Sequence, residues 1–277
     1  MTRYTATLRG KMPLDLKILI RGGGEMATGV AHRLARAHFK VCITEIPQPL
    51  AVRREVSFSE AIYDGEKEVE GIIARYVDSL EKIFQEWERK AIPVLIDPVA
   101  SIKMDLKPDV LIDATLTKKN LGTHLSDAPL VIGLGPGFQA GEDVHMVVET
   151  NRGHHLGRLI LKGCAEADTG VPGIIGGYTS ERVLRAPGPG RTLHVRKIGD
   201  RVKAGETILY VGQTPVKAEI PGVLRGLIRE GIQVSQGIKV GDIDPRGILE
   251  HCYTISEKAR AIAGGVLEGI LMVFNCA

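Results

Sequence analysis

No charge of one sign dominates this chain: 36 basic and 33 acidic side chains leave a formal charge of +3. That excess is too weak and too dispersed to recommend nucleic acid or an anionic membrane as partner. Long apolar runs are missing too. The longest late one, Ile270 to Phe274, is far too short to span a bilayer. The opening stretch MTRYTATLRGKMPLDLKILI lacks the continuous apolar core of a secretory signal. Cysteine is scarce: Cys42, Cys164, Cys252 and Cys276 form no CxxC pair and no metal-ligand spacing. They read as scattered reduced thiols, with no disulfide framework and no metal site. Aromatic residues are few, with five Phe, six Tyr and one Trp. By contrast, 33 Gly and 14 Pro make up about a sixth of the chain, which excludes a helical bundle. The rest is ordinary globular composition, 44% apolar and 25% charged, which excludes disorder. The expectation is a soluble cytoplasmic protein of one large domain or two, with homo-oligomerisation left open.

The glycines are uneven. Val131 to Glu250 holds 22 of the 33, whereas the amphipathic helical patterns lie earlier, so an α/β half precedes a turn-rich β half. Lys17 to Arg21 is a short apolar run, and Glu25 to Ala37 then repeats apolar residues at helical spacing. Val41 to Ile46 is β-branched, and a charged helix follows from Asp78 to Lys90, capped by Asp78 or Ser79. Ile92 to Asp97, Asp109 to Thr115 and Leu130 to Leu134 are runs of the kind buried on both faces of a parallel sheet. Val144 to Thr150 reads as a strand and Leu156 to Lys162 as a short helix. Alternating strands and helices predict a doubly wound sheet. Later, Gly199-x-x-Val202-x-x-Gly205-x-x-Ile208 recurs as Gly231-x-x-Val234-x-x-Gly237-x-x-Val240. Two copies are too few for a solenoid but can pack as a small sandwich about a pseudo-two-fold axis. Ser256 to Phe274 predicts a capped helix that returns to the first sheet.

The strongest local signal is Gly22-Gly23-Gly24-Glu25-Met26-Ala27, a G-x-G-x-x-A turn between a strand and a helix. Gly22 permits the tight turn, Gly24 lets backbone approach a phosphate, and Ala27 allows close packing. Glu45, at the end of the next strand, is placed to accept from a ribose. Glu25 counts against an ordinary dinucleotide, because its carboxylate competes with phosphate at the helix start. Arg21 stands beside the turn as a helper. A second turn, Gly133 to Phe138, offers an anion nest through Gly135 and Gly137, although Pro136 removes a donor. Asp97 and Asp113 end similar apolar runs, where ligands bind beyond a parallel sheet. Each can position a metal, ribose or amine, or cap a helix, and capping is the better reading for Asp97. Arg152, in Asn151-Arg152-Gly153-His154-His155, suits a phosphate or carboxylate. His124, His145, His154 and His155 make no convincing metal set.

With those motifs in place, the chain resembles the YqeB family, linked to selenium-dependent molybdenum hydroxylases. The carrying segments include IRGGGEMATG from Ile20, DVLIDATLTKKNLG from Asp109, GLGPGF from Gly133, ETNRGHHLG from Glu149 and ERVLRAP from Glu181. More loosely, the N-terminal part is similar to the Rossmann-type domain of XdhC-like maturation factors. The repeat resembles the barrel-sandwich hybrid fold of biotinyl and lipoyl carriers. The resemblances imply a Rossmann-like domain over 1–180, a barrel-sandwich β domain over 181–255 and a C-terminal helix over 256–277. They imply an accessory role in maturing a molybdenum hydroxylase, with that enzyme or its maturation machinery as partner. The ligand would be a nucleotide or the nucleotide-bearing molybdenum cofactor, held by Arg21, Gly22, Gly23, Gly24, Glu25, Met26, Glu45, Asp113, Gly135, Gly137 and Arg152. The alternative is an NAD(P)-dependent oxidoreductase, which lacks an obvious catalytic set here.

A carrier would present an exposed lysine at a hairpin tip. Lys217 is the only candidate, yet Val216-Lys217-Ala218-Glu219-Ile220 alternates like a strand and lacks the flanking acidic or Met residues of carriers. Intact-mass measurement of protein from its native host should therefore show no biotinyl or lipoyl adduct. An adduct mapped to Lys217 would make the carrier reading the leading one.

Overall fold

The computed structural model describes residues 14–275, so Cys276 lies outside the described residues. The first apolar run forms β1 (Lys17–Arg21), followed by α1 (Glu25–Arg36) and β2 (Lys40–Glu45). Next come α2 (Ala61–Asp64), β3 (Glu66–Val69), β4 (Ile72–Tyr76) and α3 (Leu80–Glu88). Ser79 caps α3, its hydroxyl accepting from the Lys82 N–H at 3.4 Å. The sheet continues through β5 (Ile92–Ile96), α4 (Lys103–Leu106), β6 (Val110–Asp113) and β7 (Leu130–Leu134). The short strands β8 (Gln139–Ala140), β9 (Met146–Val148), β10 (Leu159–Ile160) and β11 (Gly163–Cys164) complete this half.

Nine strands line up as β10-β9-β7-β6-β1-β2-β5-β4-β3. The seven inner strands run parallel, and β10 and β3 close the two edges antiparallel. From β1 the chain moves outward through β2, then returns to lay β6 on the other side of β1. The connections thus reverse between β1 and β6, the place where open α/β sheets bind ligands beyond the strand ends. The expected helix at Leu156 to Lys162 is not formed. Gly157 and Gly163 have φ of +81° and +93°, which break a helix, and β10 pairs with β9 between them.

The second half holds β12 (Val183–Arg185), β13 (Gly190–His194), β14 (Arg201–Val202), β15 (Thr207–Val211) and β16 (Thr214–Lys217). It ends with β17 (Gly222–Leu227), β18 (Gln233–Val234) and β19 (Lys239–Asp244). They form two four-stranded sheets, β12-β19-β17-β14 and β16-β15-β13-β18. The repeat explains the pairing. One copy gives β14 to the first sheet and β15 to the second, while the other gives β18 to the second and β19 to the first. Gly199, Gly205, Gly231 and Gly237 all have positive φ, as equivalent turns require. Val216, Ala218 and Ile220 are buried while Lys217 and Glu219 are exposed, the alternation read from the sequence.

The chain ends in α5 (Glu257–Phe274), capped by Ser256, whose hydroxyl accepts from the Ala259 N–H. Ala259, Ile262, Ala263, Val266 and Ile270 of α5 join Val30 and Leu34 of α1 in the core on one sheet face. Leu19, Leu111, Val131 and Ile83 build the core on the other face. The architecture is therefore mixed α/β: a large, mostly parallel sheet, antiparallel β sheets, and a C-terminal helix on the first sheet's helical layer.

α1 and α5 meet where Gly29 lacks a side chain; a Cβ there would lie 2.7 Å from the Ala259 Cβ. Gly29→Val should force the helices apart and cost about 1–3 kcal/mol or more, the range of overpacked cores. Denaturant unfolding checks this, and a loss under about 0.5 kcal/mol, ordinary for surface changes, would mean that the contact yields freely.

Candidate functional site

Beyond the ends of β1 and β6 opens a cavity of about 790 Å³, within the usual size range of small-molecule pockets. Its floor is the glycine turn. Gly22 has φ +95°, and a Cβ there would press on the Ala114 backbone, so only glycine fits. Gly23 is small for a different reason: Ser59 packs on it, and the Ser59 N–H donates to the Gly23 carbonyl at 2.9 Å. Gly24 has an ordinary φ of −70°, and nothing lies within 4 Å of where its Cβ would be. Its missing side chain leaves open space in the pocket floor.

The two acids of this turn are already occupied. Glu45 accepts from the Gly23 N–H and the Ile46 N–H, each at 2.7 Å. Burial pushes its pKa up, and those two backbone donors pull it back only in part. Glu25, expected to repel phosphate, is instead paired with Arg53 at 3.1 Å and faces Arg225 at 3.8 Å. Met26 is buried, contributing to both the core and the pocket lining.

Other sequence-predicted residues take structural posts. Arg21 borders the pocket, but its guanidinium donates to the carbonyls of Pro98 and Leu121, to Thr123 and to Asp113. It is not free to grip a phosphate. Asp113 is fully buried and accepts from Arg21, from Thr123 Oγ1 at 2.6 Å, and from the hydroxyl and N–H of Thr115, so it orients loops instead of a ligand. Gly135 and Gly137 do not reach the pocket, a correction to the anion nest. The Gly135 N–H donates to the Val148 carbonyl, and the two glycines give room to Thr150 and to the Lys119 backbone. Only Pro136 of that turn lines the cavity. Asp97 caps a turn, accepting from Ser101 Oγ and the Ile102 N–H. The His145 Nδ1 accepts from the Val131 N–H. Among the described residues, no group of three or more His, Cys, Asp or Glu is placed to hold a metal. Cys42 and Cys252 are buried, which raises both thiol pKa values, and Cys164 is exposed.

Arg152 does line the cavity, paired with Glu257 at the start of α5. Most of the cationic wall was not foreseen. Arg53 comes from the segment after β2, and Lys118 from the loop after β6. The β half adds Arg182, Arg185, Arg225 and Lys239, and α5 adds Lys258. In all, nine basic and five acidic residues line the cavity, an excess of four that exceeds the net charge of the whole chain. Focused charge of one sign in a cleft raises the local concentration of opposite charge. Three lining residues also carry buried polar atoms without a partner: Ser59 Oγ, Arg53 Nε and Arg182 Nε. An unsatisfied buried polar atom typically costs about 1–3 kcal/mol, so these three are available to a bound partner. The one sequence hint was Arg225, a charge inside the apolar strand Val223-Leu224-Arg225-Gly226-Leu227.

The Glu45 carboxyl gives a sign-definite test. Its folded pKa lies above its ordinary 4.5, so between those values the folded chain binds more protons than the unfolded one. Stability from this group therefore falls as pH rises from about 4.5 through the folded pKa. Glu45→Gln keeps an acceptor for the Gly23 N–H but cannot ionise. Its melting temperature should gain on wild type as pH rises, and parallel curves would show that burial of the charge is harmless.

No protein-family model matches the chain. Among solved structures, an aspartoacylase family protein from Mesorhizobium loti aligns over 83% of this chain and 85% of its own, at 13% identity and a TM-score of 0.27. A succinylglutamate desuccinylase/aspartoacylase from Rhodobacter sphaeroides covers the same shares at 14% identity and 0.26. The product-bound ectoine utilization protein EutE from Ruegeria pomeroyi does so at 12% and 0.25. Scores this low carry no argument about fold or activity. In sequence, 258 residues, 93% of this chain, are 48% identical to the uncharacterized protein YqeB of Escherichia coli strain K12. The chain spans about half the length of that relative, 48%. Over that matched half the chain is similar to YqeB.

Proposed function

We propose that this chain is an accessory protein of molybdenum hydroxylase maturation that holds a nucleotide, or the nucleotide-bearing molybdenum cofactor, as cargo. The fold reading that accompanies it is a Rossmann-like sheet domain followed by a barrel-sandwich β domain. One observation carries the binding: the cavity at the β1/β6 reversal combines open space over Gly24 with a surplus of cations from both halves. Those residues fit an anionic group of nucleotide size. The molybdenum context comes from the sequence resemblance, and the hydroxylase or its maturation machinery would be the partner. No described helix is long and apolar enough to cross a membrane. Nothing in the cavity suggests hydride chemistry beyond the glycine turn itself, so the oxidoreductase reading is the outcome to test against.

Gly24→Val is the direct probe. Its backbone is already in a conformation open to any residue, so the variant should fold, with a stability loss no larger than the roughly 1 kcal/mol of a poorer helix N-cap. The valine would fill the pocket floor, and binding of nucleotide or molybdenum cofactor should weaken by about tenfold or more, equivalent to roughly 1.4 kcal/mol. Unchanged affinity by calorimetry removes the ligand from this floor. Multiple turnovers of NAD(P)H at about 1 per second or faster, with a small carbonyl substrate, would favour the oxidoreductase.

A further inference from the structure

Most cations of the pocket have a carboxylate of their own. Arg182 and Lys239 share Asp242, Arg53 holds Glu25, Lys118 holds Asp168 and Arg152 holds Glu257. Lys258 is different. It stands in the first turn of α5 and lines the cavity, and its ammonium makes no hydrogen bond or ion pair with the described residues. Burial pushes its pKa down, and Arg152 pushes it further. Glu25 and Glu149 oppose this from a distance, and Lys239 adds to the repulsion. The helix start adds a partial positive charge of its own. A free lysine normally extends its ammonium into water. Here a partly desolvated cation without a partner lines the same cavity as Arg152 of a loop and Lys239 of a strand, a place that an anion would stabilise.

We propose that Lys258, Arg152 and Lys239 form a phosphate subsite on the α5 side of the cavity, distinct from the glycine turn. The inference rests on the reading of this cavity as the site of a phosphate-bearing ligand, and it says where the phosphate goes. The glycine turn is the poorer place, since the Gly23 N–H already donates to Glu45. A phosphate or diphosphate accepted by the three cations would neutralise the excess charge. It would also tie α5 and the loop after β9 to β19 of the β half, so binding stabilises the junction between the halves.

The test uses the full chain as wild type, Lys258→Met, Lys258→Arg and the exposed control Lys203→Met. Each is titrated with inorganic phosphate, pyrophosphate and a nucleoside diphosphate at fixed ionic strength, by calorimetry and thermal melting. Without ligand, Lys258→Met should melt no lower than wild type, because it removes a desolvated charge; a lysine with a purely structural role would lower it. With ligand, Lys258→Met should lose about tenfold or more in affinity, Lys258→Arg should recover most of it, and Lys203→Met should match wild type. Pyrophosphate should also protect Lys258 in wild type from an acetylating reagent, a readout that needs no variant. Tighter binding of the nucleoside diphosphate than of pyrophosphate identifies the phosphate as a nucleotide's, whereas the reverse identifies a free anion; both support the subsite. Nucleotide binding that Lys258→Met leaves intact and Gly24→Val abolishes overturns the subsite while the cavity reading stands. Absence of nucleotide binding with Lys258-dependent pyrophosphate binding does the opposite. Failure of every phosphate probe to bind or protect overturns both.

Discussion

The structure turns on one buried guanidinium. Arg53, 5% exposed, pairs with Glu25 in the first turn of α1 and donates to the carbonyls of His251 and Thr254 just before α5. Burial pushes its pKa down, and Glu25 is the main force holding the charge in place. Removing either partner would strand the other charge, which in buried pairs costs more than the pair ever contributes. The neighbouring residues build on that anchor. Arg54 donates to the Leu227 carbonyl at 2.7 Å, and the Leu227 N–H donates to the Val52 carbonyl at 2.8 Å. Arg229 of the β half bonds Glu60 and Asp64 and lies 4.5 Å over the Tyr63 ring. Residues 52–64 are thus the seat of the β half, and the cavity exists because that seat holds both halves at the end of β1.

Two of these contacts also decide the chemistry of the glycine turn. A carboxylate in the first turn of a helix normally uses the site an anion would take. Glu25 is neutralised sideways by Arg53 and Arg225, so it serves assembly. Glu45 closes the turn from the other side by accepting from Gly23. The turn is a tight, glycine-shaped strand-to-helix junction whose two acids are already satisfied by the protein.

Much of the sheet was legible because β1, β2, β5, β6 and β7 are short, largely apolar runs, whereas β4 and the edge strand β3 were not read, since charges such as Arg75 and Glu68 interrupt them. The repeat was legible too, since its glycines recur at turns that demand positive φ. Gly135 and Gly137 were misleading because positive φ serves a tight turn as well as an anion nest, and sequence does not distinguish the two. Asp113 misled for a related reason. It is paired in register with Arg21 across β6 and β1, and only that pairing shows that its carboxylate is already satisfied. Apart from Arg152, the cationic wall was illegible because Arg53, Arg182, Arg225 and Lys258 are far apart in the chain and share no spacing. Only the fold brings them to one cavity.

Charge is therefore divided within the pocket. Two of the five acids, Glu25 and Glu45, stand at the glycine floor, each held by protein donors or cations, and Asp242 in the β half is shared by Arg182 and Lys239, whereas the unpaired Lys258 ammonium lies at α5. A ligand with a phosphate at one end and a hydrogen-bonding, uncharged body at the other would match this division in one orientation only. The body would lie over Gly24, where space is open, and the phosphate would lie toward Lys258, where a cation lacks its partner. Reversing it would bring phosphate against Glu45 and leave Lys258 uncompensated, a penalty paid twice in a partly desolvated site. The same division explains why the β half belongs to the site at all. Without Arg182, Arg225 and Lys239, the cavity's nine bases and five acids would come close to balance.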